Sequence, residues 1–418
     1  MDEQRARAAE IVAALRTEQC LSLVGGRDFW TTQAIDGVVP SVMMTDGPHG
    51  LRKQSGDTDH VGLFDSVPST CFPVATVLAS TWDVDLVREG GAAIGTEARA
   101  ADVALVLGPG LNIKRHPRGG RNFEYFSEDP LLSGAMAAAL VQGVQSTGVG
   151  ACLKHFAVNN QETMRMVVDV VVDERTLREI YLRGFEIAVE RSSPRAVMTS
   201  YNRVNGKHTS DHVHLLREIL RGEWGFDGLV VSDWGGTNDR VLALDAGMDL
   251  EMPGSGGVFD DEVRAALADG TLPESRLRES AARVVELALR GDALRGEKVD
   301  ADHEAHHALA RRAAAAGTVL LTNDGVLPLP SSDGLVVIGA YADQPRYQGG
   351  GSSRVSPTRV DSLLSALPGT VPFARGYDPV TGESTATEVS EAVVLAAGAA
   401  AVVLVVGFPG GQEIESRD

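Results

Sequence analysis

The 418-residue chain has an ordinary globular composition, with 43% apolar and 23% charged residues, which argues against a largely disordered protein. Its formal net charge of −19 repels nucleic acids and anionic membranes, so neither is expected as a partner. The three cysteines, Cys20, Cys71 and Cys152, lie far apart without a CxxC pair. This pattern excludes a zinc ribbon and a dense disulfide framework.

The N-terminal segment and the longest apolar runs indicate where in the cell the protein is expected. Residues 1–19 are charged from the start and lack the apolar centre of a secretory signal. No run approaches the roughly 18 uninterrupted apolar residues that suggest a membrane-spanning helix. Together these patterns predict a cytoplasmic protein without a membrane partner.

Over the first 295 residues, short apolar runs alternate with helix-like stretches. Ile11, Val12 and Leu15 have the spacing of an amphipathic helix, and further helices are predicted at 174–190 and 212–221. Strands that alternate with helices in this way predict βα units with right-handed crossovers, and hence a (β/α)8-like barrel. Six candidate strands end in polar or glycine-rich residues: 41–45, 103–107, 150–153, 196–199, 229–231 and 248–252.

The character of the chain changes after residue 295. Residues 296–330 begin with a polar, charged stretch that predicts an exposed linker followed by a helix. The segment 331–418 then contains strand candidates at 335–340 and 401–407 and a helix candidate at 385–397. So few strands leave exposed edges and little core. We therefore expect the barrel to be followed by an incomplete α/β sandwich domain, and the chain to be part of a longer protein.

Asp233 is the most informative residue in the chain. It follows the short apolar run 228–231, and Trp234 follows it directly. A β/α barrel keeps its chemistry at the carboxyl ends of its strands, so a carboxylate at this point is placed to act on a ligand. The alternative is an Asp that caps the next helix.

Other strand ends carry polar groups of different kinds. A site built from a carboxylate, cations and aromatic walls suits a polyhydroxylated ligand, because hydroxyl groups need both donors and acceptors. These groups are Asp46, Arg52, Arg121, Lys154, His155, Asn159, Tyr201, Asn202 and Trp234.

Several of these residues also have a structural interpretation. Arg121 is suited to a salt bridge, His155 to a hydrogen-bonded position in the core, and Asp46 before Gly-Pro to a turn. Trp234 is either a platform for a sugar or core packing beside Asp233. The glycines at 349–351 are interpreted as a flexible turn, because no Gly-Lys-Ser/Thr follows them as in a phosphate loop. The occurrence of such groups at successive strand ends favours a common site.

At this point the sequence resembles the glycoside hydrolase family 3 β-glucosidases over nearly its whole length. Seven stretches in the family's order carry the resemblance: TDGPHGLR (45–52), GPGLNIKRHPRGGRNFEYFSEDP (108–130), LKHFAVNNQE (153–162), VMTSYNRVNG (197–206), GLVVSDWGG (228–236), AGMDLEMPG (246–254) and VLLTNDGVLPL (319–329).

The resemblance implies a retaining β-glycosidase that needs no cofactor and no metal. Asp233 would be the nucleophile, and the general acid/base would be a Glu in a loop that often reads Glu-Ser-Glu-Gly-Tyr-Asp-Arg. Here the loop reads Glu413-Ile-Glu-Ser-Arg-Asp418, so Glu415 fits better and Glu413 stays possible. The residues implied to bind the sugar are Asp46, Arg52, Arg121, Lys154, His155 and Tyr201.

The implied mechanism also predicts which of the two carboxyl groups is ionised and which is protonated. A retaining enzyme holds its carboxylates about 5–5.5 Å apart and forms a covalent glycosyl-enzyme. Asp233 should then have a low pKa and the Glu a raised one. The expected partner is a small β-glucoside, and a homo-oligomer is possible.

Alternative functions remain within and outside this family. Lys154-His-Phe-Ala-Val-Asn-Asn disfavours the members that cleave N-acetylglucosamine, which carry Lys-His-Phe-Pro-Gly-His-Gly. A β-xylosidase is less favoured, because those members tend to carry Glu-Ala-Leu-His-Gly where this chain has Asp46-Gly-Pro-His-Gly. A sugar-binding protein without turnover is a hypothesis of a different class. A phosphate-binding barrel is disfavoured, because residues 246–257 are acidic where an anion would bind.

Overall fold

The computed structural model describes residues 3–54, 66–297 and 299–418. A five-stranded parallel sheet forms the first part of the fold, and its neighbouring strands follow one another in chain order. This is the arrangement expected of successive right-handed βα units. The strands are Met44–Asp46, Leu105–Leu107, Gly150–Phe156, Ala196–Thr199 and Leu229–Val231.

Single bridges extend this sheet into a closed ring. The segments 25–26, 31–32 and 250–251 fill the gap between the last strand and the first, and segment 31–32 runs antiparallel to both of its neighbours. The architecture agrees with the predicted (β/α)8-like barrel, although the predicted strand 248–252 forms only single bridges and the segments 25–26 and 31–32 were not predicted. The bridges join Val231 to Leu250, Glu251 to Gly25, Gly26 to Thr32 and Thr31 to Met43.

Helices cover the outside of the ring. Some begin at side-chain caps; Asp129, for example, accepts the Leu131 N–H at 2.8 Å, and Pro130 is the first residue of the helix that follows. The helices are Glu3–Ala14, Thr17–Leu23, Ala75–Ser80, Val84–Ala100, Pro130–Ser146, Glu174–Thr176, Arg183–Ser192, Arg240–Ala246, Asp260–Asp269 and Glu274–Asp292, with π-helical stretches Leu177–Leu182 and His214–Glu223 and 3-10 turns Asn122–Glu124 and Thr209–Asp211.

The strands are buried on both faces, and this explains their sequence. In Leu105–Leu107, Leu105 and Leu107 belong to one apolar cluster and Val106 to another, as the two-residue period of a strand requires. A strand covered on both sides reads as a continuous apolar run rather than an alternating one. The carboxyl ends of these parallel strands meet at one end of the ring. A small sheet of Asp169–Val170, Arg203–Val204 and Lys207–His208 lies in the loops.

The second part of the fold is a parallel sheet in which Leu335–Ile338 lies between Phe373–Ala374 and Ala401–Leu404. The helix Ala386–Ala397 packs against this sheet and leaves Val389, Val393 and Val394 at least half exposed. The short elements Ala340–Ala342, a 3-10 turn, and Leu363–Ala366, a helix, complete this part. No helix within the described residues is long and apolar enough to cross a membrane.

The helix His303–Ala316 connects the two parts. It lies inside the predicted linker 296–330, of which residue 298 is outside the described residues. Ala310 and Ala313 are buried where the helix packs against Val84–Ala100 and Ala75–Ser80. The domain boundaries 1–295 and 331–418 stay a prediction.

Candidate active site

Asp233 lies at the carboxyl end of the strand Leu229–Val231 and is only 7% exposed. Its Oδ1 accepts the Trp234 backbone N–H at 2.8 Å, and its Oδ2 lies 3.6 Å from His155 Nε2. The helix that follows, Arg240–Ala246, has Asp239 as its cap, which accepts the Leu242 N–H at 2.9 Å. Asp233 is therefore not the cap of the next helix.

A cavity of about 610 Å³ opens above the strand ends, and Asp233 lines it. The barrel contributes one wall, and the loops 350–354 and 414–416 of the second part contribute the other. Every residue that the sequence analysis assigned to catalysis or sugar binding, with Glu415 for the acid/base, lines this cavity: Asp46, Arg52, Arg121, Lys154, His155, Tyr201, Asp233, Trp234 and Glu415.

Asp46 joins two of the predicted cations. Its carboxylate lies 3.3 Å from Lys154 Nζ and 3.6 Å from Arg52 Nη1, and all three side chains are buried. Arg52 also donates to the Ser352 carbonyl at 3.1 Å, which links the barrel to the second part. The buried charges thus compensate one another while their polar ends face the cavity.

Arg121 and His155 each make structural contacts and also line the cavity. Arg121 pairs with buried Glu124, and its Nη1 also lies 3.9 Å from Glu415 Oε1. The Nδ1 atom of His155 lies 3.3 Å from the Tyr125 hydroxyl. Burial, reinforced by Arg121, Lys154 and Arg165, lowers the pKa of His155, so the ring beside Asp233 is neutral at pH 7.

Trp234 is both packed and accessible to a ligand. Its ring centroid lies 5.6 Å from that of Trp30, and its Nε1 donates to the Phe29 carbonyl at 2.8 Å. The Tyr201 hydroxyl donates to the Trp234 carbonyl at 3.0 Å, which fixes the backbone beside Asp233. Neither Asn159 nor Asn202 lines the cavity, although both follow strand ends as expected.

The structure distinguishes between the two glutamates of the last loop. Glu415 lies 2.8 Å from Arg165, and its Oε2 accepts the Ser352 backbone N–H at 2.7 Å. The Glu413 side chain instead lies 3.1 Å from Arg346 and lines a neighbouring crevice between the two parts. Only Glu415 shares a cavity with Asp233.

The pKa values of the two carboxylates correct the prediction for the ligand-free protein. Burial raises the pKa of Asp233 to about 6, although Arg121, Arg165 and Lys154 oppose the increase. Burial would also raise the pKa of Glu415, but Arg121, Arg165 and the bond from Ser352 outweigh it and lower that pKa. The expected division, a low pKa for Asp233 and a raised one for the Glu, is therefore wrong here, because Glu415 holds the closer cationic partners.

Sequence reasoning missed Glu162 and Arg165. Arg165 Nη1 lies 2.8 Å from Glu162 Oε2, and the guanidinium lies 4.9 Å from the centre of the Tyr201 ring. Both residues stand in a loop beyond the strand Gly150–Phe156, where no strand end marks them. The signal available was Glu162 itself, the last residue of the stretch 153–162 that resembles the family.

The interpretation of the glycines at 349–351 as a flexible turn is incomplete, because Gly350 forms a bridge. Gly350 pairs with Ile414, so this segment holds the loop that carries Glu415. Gly351 has φ of +109°, and a Cβ there would lie 2.4 Å from Glu415 Cβ. Glycine is therefore required by both its conformation and the close approach.

One group among the described residues has the composition of a metal site. Glu97, His303 and His306 place ligand atoms within 4.8 Å of one another. They do not line the cavity, and His306 Nδ1 already lies 2.6 Å from Glu97 Oε1. This contact joins the helix His303–Ala316 to the helix Val84–Ala100.

Comparisons with protein families cover most of the chain. The Glycosyl hydrolase family 3 N terminal domain matches residues 32–287. The Glycosyl hydrolase family 3 C-terminal domain matches residues 318–418. Together they agree with a barrel followed by a second α/β part.

Individual relatives extend this match. Thermostable beta-glucosidase B of Acetivibrio thermocellus is 47% identical over 417 residues, which cover 98% of this chain and 55% of the relative. An exo-alpha-(1->6)-L-arabinopyranosidase of Bifidobacterium longum is 44% identical over 426 residues, covering 97% of this chain and 56% of the relative. The chain thus spans a little over half the length of these relatives.

Solved structures agree with the fold. The crystal structure of a Bifidobacterium adolescentis GH3 beta-glucosidase has a TM-score of 0.90 and 42% identity, covering 97% of this chain and 59% of the other. Beta-glucosidase 3B from Thermotoga neapolitana in complex with alpha-D-glucose has a TM-score of 0.86 and 35% identity, covering 98% and 63%. The predicted fold is confirmed.

Proposed function

The chain belongs to glycosyl hydrolase family 3, and from this premise we propose that it contains the active site of a retaining β-glycosidase that removes terminal β-D-glucosyl residues. One observation carries the proposal: the buried carboxylate of Asp233 in the barrel and the partly buried carboxylate of Glu415 in the second part line one cavity with several cations. Retaining glycosidases use such a pair, one as nucleophile and one as acid/base.

In the first step, an oxygen of Asp233 attacks the anomeric carbon, and the bond to the leaving oxygen breaks. Glu415 gives its proton to that oxygen, which leaves a covalent glycosyl-enzyme on Asp233. In the second step Glu415 takes a proton from water, and this water displaces Asp233. The product keeps its anomeric configuration because two displacements occur.

The sugar-binding role is assigned to the charged groups around Asp233. Asp46 accepts from sugar hydroxyls, while Arg52, Arg121, Lys154 and neutral His155 offer donors. Such charge-assisted bonds are stronger than bonds between neutral groups. Tyr201 and Trp234 supply the aromatic surface, on which the apolar face of a pyranose packs.

Glu415 must be protonated in the first step, yet the ligand-free protein favours its charged form. We assign the change to sugar binding: hydroxyl groups that enter between Glu415 and the guanidinium groups of Arg121 and Arg165 weaken the contacts that lower its pKa. Exclusion of water from the filled cavity acts in the same direction, because desolvation disfavours the carboxylate.

The identity of the sugar is open to a direct comparison. The relatives' names include both beta-glucosidase and exo-alpha-(1->6)-L-arabinopyranosidase. We expect 4-nitrophenyl β-D-glucoside to be hydrolysed faster than the corresponding α-L-arabinopyranoside and β-D-xyloside. A faster reaction with either of the others would keep the mechanism and reassign the substrate.

The deciding experiment is intact-mass spectrometry after incubation with 2,4-dinitrophenyl 2-deoxy-2-fluoro-β-glucoside. The fluorine slows the second step, and the good leaving group needs little acid assistance, so the glycosyl-enzyme accumulates. Peptide mapping should find the label on Asp233. A folded protein that binds glucose but takes no label would support a sugar-binding protein without turnover.

The pH dependence of this labelling isolates the ionisation of Asp233. Only the carboxylate attacks, and its pKa is about 6, so the labelling rate should increase with pH through about 6 and then level off. Because Arg165 helps to lower this pKa, Arg165→Gln should move the midpoint upward, whereas Arg165→Lys should move it less. A midpoint unchanged in Arg165→Gln would contradict the electrostatic role of Arg165.

A further inference from the structure

The loop that carries Glu415 contacts the barrel through the backbone of Ser416 and the side chain of Asp418. The Ser416 N–H donates to Glu162 Oε2 at 2.7 Å. The carboxylate of Asp418 accepts three backbone N–H groups of the barrel, from Gly120 at 3.1 Å, Glu162 at 2.9 Å and Thr163 at 2.7 Å. Ser416 and Asp418, which follow Glu415 in the loop, therefore both bind barrel segments around the cavity.

The charge of Asp418 suits this contact. Burial would raise its pKa, but the bonds from the Thr163, Glu162 and Gly120 N–H groups outweigh it and lower the pKa. Bonds from backbone N–H groups to a carboxylate are stronger than bonds to a neutral acceptor. In Asp418→Asn, the side-chain NH2 group would replace one carboxylate oxygen, so that at least one of these backbone N–H groups would face another donor.

Gly120 permits the main chain of the loop to lie directly on the barrel. A Cβ at this position would lie 1.7 Å from the Arg417 carbonyl oxygen and 2.5 Å from that of Ile414. Both oxygens belong to backbone, which cannot move aside as a flexible side chain does. Any larger residue at 120 must push the loop away from the barrel.

Glu162 connects this contact to Glu415. One of its oxygens receives both the Ser416 N–H and, at 2.8 Å, the guanidinium of Arg165. Arg165 in turn lies 2.8 Å from Glu415 Oε1. The backbone on one side of Glu415 and its carboxylate are thus fixed by the same barrel loop.

We propose that Asp418 and Glu162, with Gly120 as the seat, form a clamp that positions Glu415 over the nucleophile. Both are positioning residues, because they touch the loop and not the reacting atoms. The inference rests on the proposed function: Glu415 must reach the leaving oxygen of a sugar attached at Asp233. A clamp on the loop holds the acid/base in one position relative to the nucleophile.

The first test measures the clamp itself. In hydrogen–deuterium exchange of the full chain, Asp418→Asn should increase the exchange rate of the amides at 414–418 about tenfold or more. The matched control is Asp378→Asn, since Asp378 also accepts backbone N–H groups, those of Val380 and Thr381, but lies away from the cavity. Unchanged exchange at 414–418 in Asp418→Asn would overturn the clamp, whatever the activity.

The second test measures its effect on acid catalysis. Asp418→Asn should lower kcat/KM for methyl β-glucoside by about 100-fold, and that for 2,4-dinitrophenyl β-glucoside by less than about 3-fold, because the second leaving group needs little acid. Asp418→Glu should recover part of the loss, and Gly120→Ala should reproduce it. Equal losses on both substrates would overturn the positioning role.

The labelling of Asp233 separates the two proposals. If the unchanged chain takes no label, the proposed function fails, while amide exchange still decides whether the clamp exists. If the unchanged chain is labelled and Asp418→Asn shows the same preference for leaving groups as its parent, the function stands and the positioning role fails.

Discussion

Replacement of Asp233 by Asn is expected to abolish hydrolysis and, at pH 8, to stabilise the folded chain. Without the carboxylate no glycosyl-enzyme forms, so kcat/KM should fall on the order of 10⁴-fold or more for every substrate, dinitrophenyl glucosides included. Asn fills the same volume, so the variant should still bind glucose. Measurement of kcat/KM together with glucose affinity separates loss of chemistry from loss of binding.

The gain in stability follows from the raised pKa. The folded-state pKa of Asp233, about 6, exceeds the usual aspartate value of 3.8. The stabilisation from a protonated Asp233 is therefore complete below about pH 4 and is lost as the pH rises through 6. Two pKa units correspond to about 3 kcal/mol, so Asp233→Asn should unfold at higher temperature than its parent at pH 8, and at a similar temperature at pH 4.

Asp173→Asn provides the control for both measurements. Asp173 is exposed and caps the helix Glu174–Thr176, and Asn caps helices about as well. This variant should retain activity and show no comparable gain at pH 8. Substantial turnover in Asp233→Asn would assign the nucleophile elsewhere, and equal stability of parent and Asp233→Asn at pH 8 would contradict the cost of burying the charge.

The barrel part of the site could be predicted from the sequence because the ends of buried parallel strands can be recognised in the sequence. A strand buried on both faces is a short apolar run, and the first one or two residues after it lie at the edge where ligands bind. Asp46, Tyr201 and Asp233 were found in this way. The segments 25–26 and 31–32 were not, because a single bridge leaves no apolar run to recognise.

The rest of the site depends on how two parts of the chain meet. Glu413 and Glu415 have the same residue type and similar neighbours, and what separates them is the pairing of Ile414 with Gly350 and the turn behind it. That pairing places Glu415 beside Ser352 and sends Glu413 to Arg346. A sequence pattern contains neither distance.

For a related reason, the sequence could not predict which of the two carboxyl groups has the higher pKa. A pKa in a buried site reflects the balance between desolvation and every charge nearby. Asp233 and Glu415 are influenced by the same Arg121 and Arg165, but only Glu415 is within 3 Å of one of them. The family motif identifies the two carboxylates, whereas Arg165, which together with Arg121 lowers the pKa of both, lies outside the motif's quoted residues.

Glu415→Ala is expected to show a loss that depends on the leaving group. The kcat/KM for methyl β-glucoside should fall by about 10³-fold, within the range of general acid catalysis, because its leaving oxygen needs a proton. With 2,4-dinitrophenyl β-glucoside the first step should survive while the second becomes slow, so a burst of dinitrophenol should precede slow turnover. The measurement is stopped-flow absorbance with both substrates.

Azide tests whether the lost group also acted as the base. In Glu415→Ala, azide can enter the vacated space and attack the anomeric carbon without losing a proton, which breaks the bond to Asp233 and forms β-glucosyl azide. Turnover of the dinitrophenyl substrate should therefore rise with azide, and the product should keep the β configuration. The parent protein, with a carboxylate in place, should yield glucose alone.

Glu413→Ala is the matched control, since it removes the same side chain two residues away. The Glu413 carboxylate lies beside Arg346 in the neighbouring crevice, so its loss should leave the leaving-group dependence unchanged and give no response to azide. The opposite pattern, a response in Glu413→Ala and none in Glu415→Ala, would assign the acid/base to Glu413. It would also mean that the loop changes its conformation when a sugar binds and brings Glu413 into the cavity. In the ligand-free protein the clamp formed by Asp418 and Glu162 holds Glu415 towards the cavity instead.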